Sequence, residues 1–120
     1  MLRGIRGATT VRENRSEEIL EATKELLTQL VNENGITASE IAAIIFSVTS
    51  DLNAAFPAAA GRELGWDTVP FLCTTEIPVP GSLPRCIRIL VLLNTGKEQD
   101  RIKHVYLRDA VSLRPDLVGT

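Results

Sequence analysis

The chain has 120 residues, of which 44% are hydrophobic, and its 13 basic and 15 acidic side chains give a formal net charge of −2 at pH 7. This length fits one domain, residues 1–120, with residues 118–120 expected to form a flexible tail. The nearly balanced charge without a basic block argues against a nucleic-acid partner, and no apolar stretch is long enough to cross a membrane.

The first predicted elements are a strand and a long helix. Leu2–Ala8 is mostly apolar and predicts a strand, and Asn14–Asn32 repeats its apolar residues with the helical period. Asn14 and Glu17 have the spacing of a capping box at the start of this helix, with Ser16 as an alternative cap.

The middle of the chain predicts two short helices around a strand. Gly35 ends the long helix, and Thr37 with Glu40 forms a second capping box that starts a short one. Ala43–Val48 predicts a buried strand. Pro57–Leu64 predicts a helix, because proline suits the first helical position.

Three strands follow in the second half of the chain. Val69–Thr74 predicts the third strand, and a loop stiffened by three prolines between residues 78 and 84 separates it from the fourth, Cys86–Asn94. A polar loop then leads to a short last strand, His104–Leu107. The segment from Arg108 onward shows no clear pattern.

This order predicts an α/β (α+β) fold, in which a mixed β-sheet carries its helices on one face. The late strands follow one another without an intervening helix, so we expect neighbours that run antiparallel. The second face of the sheet then needs cover, either water or another subunit. The apolar composition for this length favours a subunit.

Two arginines interrupt predicted strands. Arg88 lies in the apolar run of the fourth strand, and Arg6 lies in the first. A guanidinium stays charged and needs an anionic partner or water. The pair therefore indicates either a site that grips carboxylates or phosphates, or structural ion pairs with glutamates.

Five further candidates lie in separate predicted segments: Arg62, Cys73, Glu76, Tyr106 and Arg114. Each has a structural alternative, such as a core-edge tyrosine, a buried thiol or an exposed helix arginine. Together they suit a small dianionic ligand that carries a hydroxyl group. They do not suit acid–base hydrolysis, because the chain has one histidine and no paired acids stand out.

The cysteines and the histidine do not predict a metal site. Cys73 and Cys86 lack CxxC spacing, and His104 is the single histidine beside them. We expect both thiols to be reduced. Because the N-terminus lacks the features of a signal peptide, we expect a cytoplasmic protein.

Five segments are more specific together than any one of them alone. They are Arg3–Val11, Asp51–Ala58 with Arg62–Leu64 after it, Cys86–Arg88, His104–Leu107 and Leu113–Leu117. In this order, across Leu2 to Leu117, they resemble the monofunctional, trimeric chorismate mutases of the Bacillus type.

The resemblance implies a homotrimer whose sheets pack into a pseudo-α/β-barrel core, with active sites in clefts between subunits. It implies an isomerase that rearranges chorismate to prephenate, in the shikimate route to phenylalanine and tyrosine, without cofactor or metal. The Claisen rearrangement is intramolecular. It therefore requires a held conformer and a cation near the ether oxygen, where negative charge develops.

The resemblance also assigns roles to residues, with Arg88, Glu76 and Arg6 as the catalytic set. Arg88 matches the arginine that donates to the ether oxygen and a carboxylate. Arg6 matches the arginine that holds the side-chain carboxylate, and Tyr106 matches its helper. Glu76 matches the acid that contacts the ring hydroxyl and orients Arg88, and Cys73 matches a residue at the same hydroxyl.

Other matched residues surround this set. Phe56 and Arg62 match an apolar wall and a cation that the neighbouring subunit contributes, and Arg114 matches a tail residue that closes the site. Ala59 departs from the pattern, since it stands in a segment where relatives carry a lysine at the entrance. The substrate-lining segment comprises Leu72, Cys73, Thr74, Thr75 and Glu76.

Two other functions fit the same residues. An imine deaminase of similar small trimeric fold, or a trimeric regulator that binds a metabolite, would also hold a carboxylate through arginine at an interface. Only a mutase converts chorismate to an equal amount of prephenate without releasing ammonia or exchanging water.

Overall fold

The computed structural model describes residues 1–114. The predicted tail at 118–120 and positions 115–117 of the last matching segment lie outside the described residues. The strands are β1 Leu2–Thr10, β2 Ile41–Val48, β3 Phe71–Thr75, β4 Cys86–Asn94 and β5 Val105–Tyr106. The helices are α1 Ser16–Asn34 and α2 Ala58–Glu63, and 3₁₀ helices lie at Ala38–Glu40, Gln99–Arg101 and Arg108–Leu113.

The five strands form one mixed sheet in the order β3-β2-β4-β1-β5, which confirms the predicted kind of sheet. The long apolar β4 takes the centre and is antiparallel to both β1 and β2. The edge strands are parallel to their neighbours, β3 to β2 and β5 to β1. The late strands β3, β4 and β5 alternate in direction, as expected. The expectation that they are neighbours in the sheet is wrong, because β2 lies between β3 and β4 and β1 lies between β4 and β5.

Both α-helices pack on the same face of the sheet, as predicted. The odd-numbered side chains of β4, from Ile87 to Leu93, are buried on this face. Leu26, Leu27 and Leu30 of α1 are fully buried against them and their neighbours in the main core. Among the described residues, no helix combines the length and the apolar character that a membrane span requires.

The other face of the sheet, which we call the open face, is largely uncovered in a single chain. It carries the even-numbered side chains of β1 and β4 and those of β2 and β3 in register with them. Large apolar side chains are exposed on it, including Leu2 at 54%, Leu72 at 59% and Leu90 at 37%. The 3₁₀ helix Arg108–Leu113 covers only one end, where Ala110 packs on the ends of β1 and β4.

Several boundary signals in the sequence are confirmed. Gly35 ends α1 in the left-handed conformation, with a φ of 60°. Thr37 and Glu40 form the expected capping box around the first 3₁₀ helix. Pro57 precedes α2 as its N-cap residue, one position before the helix that it was expected to start.

The predicted caps of α1 are wrong. The helix begins at Ser16, with Arg15 at the N-cap position and no side-chain cap. The Asn14 side chain instead accepts the backbone N–H groups of Asn53 and Ala54. This asparagine ties the loop before α2 to the loop before α1, and two long-range donors replace the local cap.

Gly61 of α2 provides a test of the packing between α2 and the sheet. A Cβ at this position would lie 2.5 Å from Cζ of Phe71, and that ring is held edge-to-face on Phe46 with centroids 5.6 Å apart. Overpacking costs about 1–3 kcal/mol and outweighs the helix-propensity gain of about 1 kcal/mol. We expect Gly61→Ala to lower the free energy of unfolding by about 1 kcal/mol in urea denaturation.

Gly96→Ala is the matched control for this substitution. No atom lies within 4 Å of a Cβ placed at Gly96, so the change in unfolding free energy should stay within about 0.5 kcal/mol. Equal stability of the two variants would contradict the close contact between α2 and Phe71.

Candidate active site

Arg88 lies at the centre of the open face. It is in register with Ala8 of β1 and Ser47 of β2. Its Nε lies 3.3 Å from Oε1 of Glu76 in an ion pair. Glu76 follows β3, and its backbone N–H donates to the carbonyl of Val48 at 2.8 Å. The strand arginine therefore has both the carboxylate partner and the solvent access that its charge requires.

A cavity of about 730 Å³ opens beside this ion pair. Strand residues, the proline-rich loop and the last 3₁₀ helix form its walls. Its size is in the range of small-molecule sites. Its lining includes Ser47, Thr75, Glu76, Ile77, Leu83, Cys86, Arg88 and Leu113.

A smaller hollow of about 250 Å³ lies on the other side of Arg88. Arg6 of β1 and Tyr106 of β5 line it together with Arg88, and Ile45 and Leu90 give it an apolar floor. Arg88 lines both hollows. A ligand with two carboxylates can therefore lie across the open face with one end near Arg6 and its middle beside Arg88.

The single histidine holds the backbone of Arg6. The Arg6 N–H donates to Nδ1 of His104 at 2.9 Å. Burial lowers the pKa of His104, and the positive charges of Arg6 and Arg114 lower it further. The imidazole is therefore neutral near pH 7, and its Nδ1 stays free to accept this bond.

Cys86 is a cavity residue that sequence reasoning missed. It is buried two residues before Arg88 on the same face of β4. Burial raises the pKa of its thiol, and the positive charge of the Arg88 guanidinium partly offsets that rise. The alternation of strand side chains was the signal that places Cys86 beside Arg88. In residues 1–114, no three His, Cys, Asp or Glu side chains are grouped to hold a metal ion.

The predicted lining segment divides between the two faces of the sheet. Leu72 and Thr74 are exposed on the open face at its β3 edge, and Thr75 reaches the larger cavity. Cys73 points the other way and packs against the helix-side core. Both cysteines are free thiols.

Phe56 and Arg62 lie outside both hollows. Phe56 is 71% exposed just before α2, and Arg62 is exposed in the last turn of that helix. Arg114 ends the 3₁₀ helix whose Leu113 lines the larger cavity. The predicted residues that a single chain brings together are Arg6, Thr75, Glu76, Arg88 and Tyr106.

Comparison with known proteins decides the family. The sequence profile of type I chorismate mutases matches residues 2–117. The chain belongs to the type I chorismate mutase family. Chorismate mutase AroH of Thermus thermophilus is 58% identical over 118 residues, which are 98% of this chain and 97% of that protein. Chorismate mutase AroH of Bacillus subtilis strain 168 is 49% identical over 118 residues, 98% of this chain and 93% of that protein.

The fold agrees with the sequence. A solved chorismate mutase from Clostridium thermocellum matches with a TM-score of 0.90 at 49% identity, covering 91% of this chain and 97% of that one. These findings confirm the predicted family and α/β (α+β) fold class. As a type I chorismate mutase, the chain is an isomerase of aromatic amino acid biosynthesis, as the resemblance implied.

The environment of His104 in this chorismate mutase predicts a titration that is directly observable, because the chain has one histidine. We expect its ring proton NMR signal to titrate with a pKa below the usual 6.5. The unfolded chain then takes up the proton more readily than the folded one. The free energy of unfolding should therefore fall as the pH drops below 6.5, until the lowered pKa is passed.

His104→Asn keeps an acceptor for the Arg6 N–H but does not titrate, so it should lose this part of the pH dependence. Urea denaturation at about pH 7.5 and about pH 5.5 compares the two proteins on both sides of the histidine titration. A histidine pKa at or above 6.5 in the folded enzyme would contradict the neutral acceptor described here.

Proposed function

We propose that the chain rearranges chorismate to prephenate on the open face, with Arg88 as the principal catalytic cation. The supporting observation is that Arg88, paired with Glu76, stands where the two hollows meet. Chorismate carries two carboxylates, an ether oxygen and a ring hydroxyl. The two hollows present two guanidiniums, a carboxylate and a phenol to these groups.

The chemistry that Arg88 performs is electrostatic. In the rearrangement the ether C–O bond breaks while a C–C bond forms between the enolpyruvyl group and the ring, and negative charge develops on the ether oxygen. A guanidinium aimed at that oxygen stabilises the transition state more than the ground state. The central strand and the ion pair with Glu76 hold Arg88 in place before the reaction, so little reorganisation is needed.

Arg6 and Tyr106 select the reactive conformer. They lie on adjacent strands and line the smaller hollow with Arg88. In the proposal they hold the side-chain carboxylate, so that the enolpyruvyl group folds over the ring with its reacting carbon close to the target carbon. Such positioning contributes a large part of the rate of intramolecular reactions. His104 supports it by fixing the backbone of Arg6.

Glu76 has two roles in the proposed mechanism. Its carboxylate holds the Arg88 guanidinium through the ion pair, and it accepts a hydrogen bond from the ring hydroxyl of chorismate. No step in this mechanism transfers a proton, an electron or a group to another molecule, so the proposal assigns no cofactor. The free cysteines agree with a reducing, cytoplasmic setting.

The proposal includes a homotrimer with interfacial sites and a barrel-like core of packed sheets. The exposed leucines of the open face support it, because covering each large apolar side chain contributes roughly 1.5–3 kcal/mol on full burial. Cys73 lies on the opposite face of the sheet from Arg88 and packs against the helix-side core, so it does not reach a substrate held by Arg88 of its own chain. In the proposed trimer, Cys73 serves the site of a neighbouring subunit.

Phe56 just before α2 and Arg62 in its last turn are also exposed and lie away from Arg88 of their own chain. In the trimer they come from the neighbour as an apolar wall and a cation for the second carboxylate. Leu72 and Thr74 extend this wall, and Arg114 closes the site from the chain that provides Arg88.

Substitutions of Arg88 separate charge from shape. We expect Arg88→Ala to lower kcat by at least about 10²–10³, the loss typical of one preorganised oxyanion donor. Arg88→Lys keeps the charge but loses the planar guanidinium with its paired N–H donors. Its kcat should also stay well below that of the wild type. Citrulline at this position keeps the shape without the charge, and it should lower kcat far more than it raises KM.

The ultraviolet assay of chorismate consumption gives kcat and KM for all three variants, and circular dichroism verifies that each is folded. A citrulline variant with near-wild-type kcat would mean that Arg88 positions the substrate without stabilising charge, and the proposed mechanism would be wrong.

Hybrid trimers test the interface. Arg88 and Arg62 serve the same site from different chains in the proposal, so Arg88→Ala and Arg62→Ala proteins are each nearly inactive. Mixing them after reversible dissociation should restore part of the activity, because some sites then receive both intact residues. Mixing Arg88→Ala with Arg6→Ala is the control, since both residues come from one chain and every site stays defective. A fully active monomer in light scattering would refute the trimer.

A further inference from the structure

A second group of arginines lies outside the site at Arg88. Arg12 follows β1, Arg85 precedes β4 and Arg108 starts the last 3₁₀ helix. All three line one hollow of about 530 Å³, which shares no lining residue with either hollow beside Arg88. The rest of its lining is Thr10, Val11 and Asp109.

This hollow has an excess of positive charge, with three guanidiniums against the one carboxylate of Asp109. Arg108 is partly compensated, because its Nε lies 3.5 Å from Oε1 of Glu25. Within residues 1–114, no carboxylate lies within 4.0 Å of the guanidinium of Arg12 or Arg85.

Two acids bind the backbone groups of these arginines instead of the guanidiniums. Glu18 accepts the backbone N–H of Arg12 at 3.2 Å. Asp51 accepts the backbone N–H of Arg85 with both carboxylate oxygens, at 3.2 and 3.0 Å. These carboxylates thus hold the backbone at Arg12 and Arg85. The positive charges of the two arginine side chains stay uncompensated.

Two of the guanidiniums are anchored to backbone carbonyls at the end of β1. Arg85 donates from Nε to the carbonyl of Val11, and Arg108 donates from Nη1 to the carbonyl of Thr10, each at 3.3 Å. These carbonyls are consecutive along one strand end. Each guanidinium has five N–H donors, so one anchoring bond leaves donors for a ligand.

The backbone at these two arginines is strained. Arg85 has a φ of 47° and Arg108 a φ of 53°, and no other non-glycine residue among the described ones has a positive φ. Such conformations are uncommon for arginine, and backbone strain concentrates at sites that bind ligands. Both strained residues project into the same hollow.

We propose that this hollow is a second anion site, separate from the one at Arg88, which takes a small doubly charged oxyanion. Two anchored guanidiniums and the exposed Arg12 surround the anion, and forked N–H groups match its oxygens. Phosphate and dicarboxylates share this chemistry, and the experiment distinguishes between them.

Isothermal titration calorimetry with inorganic phosphate, and separately with malonate, tests the site at constant ionic strength set with chloride. We expect saturable binding of at least one probe to the wild type. Arg12→Ala and Arg85→Asn should each weaken it about tenfold or more, since each removes a charge-assisted donor. Asparagine suits position 85 because it tolerates a left-handed backbone.

Two controls separate this site from the proposed active site and from general surface charge. Arg88→Ala removes any binding of the probe at the proposed active site but should keep the saturable binding that Arg12→Ala and Arg85→Asn weaken. Arg101→Ala, which removes an exposed arginine outside the hollow, should keep it too. Stronger binding of phosphate identifies a tetrahedral oxyanion as the ligand class, and stronger binding of malonate identifies a dicarboxylate. Binding that is lost in Arg88→Ala and kept in the Arg12 and Arg85 variants would overturn the proposal. Absence of saturable binding by both probes would do so too.

Discussion

The strand β4 and the charge at its centre determine most of this structure. Its odd-numbered side chains are buried under the helices, and its even-numbered ones face the open side of the sheet. A guanidinium in such a strand is tolerated only on the open side, where Glu76 and water compensate it. The alternation of β4 side chains between the two faces therefore builds the core on one face. It also places Arg88 on the other face, where the proposed chemistry takes place.

The surroundings of Arg88 follow from the next two strands on one side of β4. β1 carries Arg6 in register with Leu90, and β5 adds Tyr106 beside Ala8. The cations and the phenol are thus fixed by backbone pairing, and only Glu76 comes from a loop. This rigidity suits a rearrangement in which the enzyme holds one conformer and presents one charge. A flexible site would have to order its side chains during each turnover.

The sequence predicted the strands and helices well because their apolar periods are long and clear. The expectation that late strands joined without a helix are neighbours was wrong, since local patterns do not report which strand edges are already paired. It also misjudged Asn14, whose side chain finds its partners about forty residues away. Long-range hydrogen bonds of this kind leave no local signature, so propensity and capping rules cannot anticipate them.

The site was predicted unevenly for similar reasons. Arg88 and Arg6 stood out because a charge in an apolar strand is costly, whereas Cys86 was considered only as a reduced thiol without the spacing of a metal site. The face to which Cys73 points depends on the strand register, which the sequence alone did not fix. The cationic hollow at Arg85 and Arg108 was invisible in the sequence, because it forms where three distant segments meet.

The central position of β4 affects how the enzyme responds to heat. The amide of Arg88 lies in a strand that is paired on both sides, so its hydrogen can exchange with solvent only when the sheet itself opens. Fraying of loops or termini leaves the backbone of Arg88 in place. Heat should therefore displace the Arg88 backbone in one cooperative step, when the whole sheet melts, and loss of activity at lower temperatures would come from the loop of Glu76 or from separation of the subunits.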